Sequence, residues 1–146
     1  PEETEAPDYL KDALIQANAV QDHLTNNFKT GRTGNESLHM AIADSKAAGL
    51  RPQIYTHPLG LFGHSAGTTF GMWDAQEGVP GSGDHPLYEN TVYAIELNAK
   101  VYLEEWGKDI RVMLEEPGFY GPDGFRYVNG RQTELLLIGS KTPHLE

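Results

Sequence analysis

The chain has 146 residues, enough for one domain with a real core, and 38% hydrophobic with 10% aromatic residues excludes a disordered polymer. Its formal net charge of -10 argues against nucleic acid or an anionic membrane as partner, since both reward Lys and Arg. With no cysteine, disulfide frameworks, zinc fingers and thiol nucleophiles are excluded, and no apolar run reaches the ~20 residues of a membrane span. No signal peptide is visible, so the sequence gives no compartment.

Residues 1–7 are acidic and carry two prolines, and read as a tail. From Asp8, apolar residues at Leu10, Ala13, Leu14, Ala17, Val20, Leu24 and Phe28 fall in steps of three and four, which predicts an amphipathic helix with Gly31 as its stop. A second helix is predicted from about Glu36 to Ala48, ended by Gly49.

Beyond Leu50 the pattern changes to strands and loops. Gln53 to Thr56 reads as a short strand, and Pro58, Gly60, Gly63 and Gly67 enforce a loop. Asp74 to Asn90 reads as a long surface loop. Thr91 to Asn98 is a strand with Val92, Ala94, Glu96 and Asn98 on one face and Tyr93, Ile95 and Leu97 on the other, continued past a bend by Lys100 to Leu103. Asp109 to Glu115 is a second strand, with Arg111, Met113 and Glu115 on one side. Asn129-Gly130, between Phe125–Val128 and Gln132–Ile138, signals a hairpin. Helices first and an antiparallel sheet after define an α+β chain, its domain covering residues 8–144 with Leu145-Glu146 as a cloning scar.

The chemistry-bearing residues are His57 and His64, seven apart, then Glu96 and Glu115 on the two strands. Taken singly, each has a bland reading. Glu96 and Glu115 are solvent-facing strand residues, with Arg111 as a structural partner for Glu115, and the histidines are hydrogen-bonded loop residues. The spacing is not that of a helical His-Glu-x-x-His metal pair. Together, two histidines and two carboxylates on neighbouring strands could converge on one face, and carboxylate oxygens with one imidazole suit Mn²⁺, Zn²⁺, Co²⁺ or Fe²⁺. Trp73, Asp74, Asp84 and His85 are further candidates for a pocket wall.

The ordered series Tyr55 to His64, Ala94 to Leu97 and Met113 to Glu116 resembles the C-terminal half of a pita-bread-fold metallopeptidase, the family of aminopeptidase P, prolidase, methionine aminopeptidase and creatinase. It is most similar to the Xaa-Pro aminopeptidase and dipeptidase branch. The resemblance implies two divalent ions, Mn²⁺ foremost with Co²⁺ or Zn²⁺ as alternatives, and a peptide bond before proline as the substrate bond. It implies His57, Glu96 and Glu115 as metal ligands, Glu96 also as the catalytic proton shuttle, and His64 as a catalytic, substrate-binding residue on the carbonyl or oxyanion.

Several positions depart from the family pattern. Leu97 stands where the family has Pro, and Arg111 lies four residues before Glu115 rather than two, which makes Glu116 a rival ligand. The family's two metal-ligating aspartates precede the helices, whereas Asp8, Asp12, Asp22 and Asp44 lie in or beside them. The expectation is therefore a fragment lacking two ligands, inactive alone, and forming a homodimer or otherwise self-associating through the face left bare. The alternative is a non-catalytic pita-bread interaction module.

Overall fold

The computed structural model of the chain describes residues 5–138. Most of the acidic tail and the closing Leu145-Glu146 lie outside the described residues.

The first predicted helix is α1, Asp8–Asn26, which buries Ala13, Leu14, Ala17, Val20 and Leu24. It ends five residues before Gly31. Asn27 closes it, donating from its side chain to His23 O (2.9 Å) and to Asp44 Oδ2 (2.8 Å). The chain then turns and sends Phe28 into an aromatic cluster, stacked on Phe70 at 4.8 Å and edge-on to Tyr93, Tyr120 and Phe125.

The second helix, α2, Gly34–Ala47, starts at a reciprocal cap in which the Thr33 hydroxyl accepts from Glu36 N and the Glu36 carboxylate accepts from Thr33 N. It stops at Gly49, whose φ is +77°. There Leu50 N reaches back to Ser45 O and Gly49 N to Lys46 O, the two bonds of a Schellman turn.

One antiparallel sheet follows, built from β1 (Pro52–Ile54), β2 (His57–Pro58), β3 (Thr91–Leu103), β4 (Lys108–Gly121) and β5 (Gly124–Tyr127). Its order is β1-β3-β4-β5, with β2 also on β3. Tyr93, Ile95, Leu97, Ala99, Val101 and Leu103 share the face of β3 that packs with the helices in one core, joined by Leu114, Val112 and Ile110 from β4. Burying one such aliphatic side chain stabilises the fold by roughly 1.5–3 kcal/mol. The opposite face, carrying Glu96, Asn98 and Lys100 of β3 beside Arg111, Met113 and Glu115 of β4, is left open by the helices.

The sheet departs from expectation at its far end. The strand expected to stop at Glu115 runs on to Gly121, through Pro117. Pro117 O accepts from Val128 N, so its side of the backbone faces β5 just past the end of that strand, where no N–H is needed. The hairpin expected at Asn129-Gly130 forms instead at Pro122-Asp123, between Gly121 and Gly124, another strong turn sequence. Residues 132–138 form no strand. That segment is held by side chains: Asn18 Nδ2 donates to Gln132 O (3.1 Å), and Arg131 pairs with Asp22 (2.5 Å).

Candidate active site on the open face of the sheet

Glu96 is fixed through its backbone. The Thr56 hydroxyl accepts from Glu96 N and donates to Glu96 O, both at 3.0 Å, and Tyr55 N also donates to that carbonyl (3.1 Å). Thr56 itself is fully buried and bridges to Phe70. The Glu96 side chain then projects onto the open face, about one-third exposed (32%).

His57 comes from β2, which pairs His57 with Ala94 and Pro58 with Tyr93. Its Nδ1 lies 3.0 Å from Pro58 O. A carbonyl only accepts, so this bond puts the ring proton on Nδ1 and leaves the lone pair on Nε2. That Nε2 lies 3.4 Å from Glu96 Oε2. Two electron-pair donors facing each other at this distance call for a proton or a cation between them.

His64 stacks on His57, ring centroids 4.0 Å apart and planes 14° from parallel. It is carried by a loop held at its base by Ser65 N to Pro58 O and Leu59 N to Val92 O. The spacing of seven thus brings the two imidazoles face to face.

Glu115 stands directly opposite Glu96 in the β3–β4 register. Glu116 pairs with Ile95 on the other face, and its carboxylate accepts from Gln132 N (2.9 Å). Glu115 is therefore the carboxylate that shares a face with Glu96. The expected Arg111–Glu115 ion pair is not among those formed by the described residues.

A cavity of about 480 Å³ opens here, with His57, His64, Glu96, Trp73, Met72 and Met113 in its walls. Its walls combine a few polar groups with apolar and aromatic side chains, as in a site for a small organic ligand. Trp73 meets the expectation of a pocket wall. Asp84 does not: it accepts from Asn35 Nδ2 (2.8 Å) and Gly81 N (2.9 Å), tying the long loop to α2. His85 lines a separate depression with Tyr88 and Tyr93, and Asp74 is exposed and is not among the residues that line the cavity.

Thr56, Tyr55, Met72 and Met113 escaped the sequence reading. The only signal for Met113 was its place on the Glu115 face, and Thr56 gave none.

Gln76 and Gly71 build the wall that carries Met72 and Trp73. The Gln76 side chain accepts from Ile54 N (2.9 Å) and donates to Ile54 O (2.7 Å), standing in for a missing strand on the edge of β1. Gly71 has φ +72°, and a Cβ there would lie 2.3 Å from Ile54 O. Only glycine lets the wall come this close.

The donor pair His57–Glu96 suits a shared cation, and Glu115 adds a carboxylate on the same face. No group of three or more His, Asp or Glu side chains among the described residues is disposed to hold a metal ion. The residues present do not by themselves fit a closed dinuclear centre.

No protein-family model matches the chain, and no curated protein matches it in sequence. Among solved structures it is similar to the crystal structure of X-Pro aminopeptidase from Thermotoga maritima MSB8, with a TM-score of 0.61 and 20% identity. The chain has the fold of part of a pita-bread domain. The match covers 92% of this chain and 35% of the Thermotoga chain, so the protein spans about a third of that structure's length. At that identity the likeness concerns the fold: two helices, then an antiparallel sheet with one face open.

Proposed function

We propose that the chain is part of a metal-dependent Xaa-Pro peptidase, an aminopeptidase or dipeptidase, and contributes one half of its active site. The observation that carries this reading is the approach of His57 Nε2 to Glu96 Oε2 at 3.4 Å, with Glu115 in register opposite Glu96. The same residues, in the same order, carry the family resemblance, and the fold of the Thermotoga X-Pro aminopeptidase agrees with it. In this reading His57, Glu96 and Glu115 supply three ligands toward a pair of divalent ions, Mn²⁺ foremost, and carboxylates from outside the chain supply the rest. When bound, such ions would polarise the scissile carbonyl and activate water.

The chain's own residues have definable tasks. Thr56 holds Glu96 at the rim of the cavity, where its carboxylate would accept and release a proton. His64, stacked on His57, would donate to the substrate carbonyl. Met72, Trp73 and Met113 would exclude water from a proline ring. The chain alone, with three of the ligands, is inactive.

The test is hydrolysis of Xaa-Pro dipeptides and longer Xaa-Pro peptides by the full gene product with Mn²⁺. Glu96→Gln should lower kcat by about 10²–10⁴-fold, the usual worth of a positioned acid–base group. A full gene product that folds yet cleaves neither substrate sinks the reading. So does turnover by the isolated chain that disappears in His57→Ala, because half a site would then suffice.

The absence of a three-ligand group among the described residues favours a second reading, a non-catalytic pita-bread module that binds a peptide in the same cavity. Peptide binding that is indifferent to His57→Ala and Glu96→Gln, without hydrolysis, would select it.

A further inference from the structure

A second pocket, of about 330 Å³, lies further along the same open sheet face. Lys46, Arg51, Gln53, Asn98, Lys100 and Arg111 are among its walls. We propose that this pocket binds an oxyanion, the carboxylate or phosphate group of a small ligand. The proposal stands independently of the peptidase reading.

The charge distribution carries it. The chain has a net charge of -10 and only 11 Lys and Arg residues, yet four of them line this one pocket. One carboxylate answers them: Asp109 bonds Arg51 (2.6 Å) and Lys100 (3.0 Å). Lys46 and Arg111 form no salt bridge among the described residues. Lys100 and Arg111 are also directly opposite each other in the β3–β4 register. Like charges in that relation destabilise a sheet, and a neutral residue at either position would remove the cost. Lys46, in the last turn of α2, has a structural explanation because it complements the helix end. Arg111 opposite Lys100 has none of that kind.

The pocket is also preformed. Arg51 Nε donates to Lys100 O (3.0 Å) while its terminal nitrogen holds Asp109, so its guanidinium is fixed. Asn98, 2% exposed, donates to Gln53 Oε1 (2.9 Å) and to the Tyr55 hydroxyl (3.3 Å), which sets the floor. The Schellman turn at Gly49 fixes the rim beside Lys46. A small anion entering here meets Lys46 and Arg111 with donors to spare, and Arg offers the planar fork that carboxylate and phosphate oxygens match.

The experiment titrates the chain at low ionic strength with succinate and, separately, with inorganic phosphate, using sodium chloride as control and amide chemical shifts as readout. Saturable shifts at Asn98, Lys100 and Arg111 are expected with at least one probe. Phosphate alone would assign a phosphoryl ligand and succinate alone a carboxylate. The double variant Lys46→Gln/Arg111→Gln should weaken binding at least about tenfold, the scale of one lost charge-assisted hydrogen bond. Arg126→Gln, whose guanidinium lies over Phe119 outside the pocket, should leave binding unchanged. If the double variant fails to fold, Arg111→Gln alone gives the same reading. Shifts no different from those in chloride, or equal weakening in Arg126→Gln, overturn the proposal.

Discussion

Glu96 and Glu115 face each other directly across β3 and β4, on the one sheet face the helices leave open. Two carboxylates in that relation repel, and no salt bridge among the described residues relieves Glu115. A fold that keeps this arrangement bears its cost, as functional carboxylates do. Glu115→Gln should therefore stabilise the isolated chain by about 0.5 kcal/mol. Urea unfolding measures it, and an unchanged or lowered midpoint would show that the pair is not repulsive.

Thr56 holds Glu96 through its hydroxyl. Thr56→Val keeps the shape but takes from Glu96 N its hydroxyl acceptor and leaves Glu96 O to Tyr55 N alone, which costs roughly 1–3 kcal/mol. Thr56→Ser retains the hydroxyl and should recover most of that loss. Equal unfolding midpoints for the Val and Ser variants would mean the hydroxyl does not anchor the strand.

The basic patch has a pH signature. Hydrogen bonds from Arg51, then Lys100, hold the Asp109 carboxyl down at about 2, against an ordinary value of 3.8. A carboxyl lowered in the folded state adds stability that is present above its unfolded value and is lost as pH falls through its folded value. Asp109→Asn should thus be less stable than the parent above pH 3.8, with the difference closing as pH falls toward 2. The side chains are exposed, so high salt should shrink the gap. Acid titration of both proteins by circular dichroism decides it, and a gap that widened on acidification would reverse the assignment.

The open face also displays apolar side chains. Trp73 (69%) and Met113 (66%) are largely exposed in the cavity walls, and Leu61 (93%) and Phe62 (92%) are exposed on the loop that leads to His64. Patches of this kind mark interfaces. Copies of the isolated chain should associate through this face, and Met113→Lys should shift the population toward monomer in light scattering. A monomeric parent at high concentration would contradict this.

The helices and the open face were legible in the sequence because they rest on local chemistry. The apolar steps from Leu10 to Leu24 announce α1, Gly49 announces the end of α2, and strict alternation from Val92 to Asn98 places Glu96 on the face away from Ile95. What stayed hidden depends on partners far along the chain. His57 meets Glu96 only because β2 pairs with β3, and the Thr56 anchor has no local sign. Pro117-Gly118 looks like a strand end. Yet the proline faces the side where β5 has stopped, and Gly118 has no side chain because the Phe125 ring fills that space. Between two strong turn sequences, Pro122-Asp123 won over Asn129-Gly130, and local preference alone did not rank them. That Glu116, the rival by spacing, lies on the face away from Glu96 and accepts from Gln132 N follows only from the register.

The most direct test of the half-site is a Mn²⁺ titration of this chain followed by paramagnetic broadening of its amide resonances. The His57–Glu96–Glu115 assignment predicts weak, saturable binding that broadens signals around these residues first and is lost in His57→Ala. Broadening that starts elsewhere, or is unchanged in His57→Ala, would contradict it.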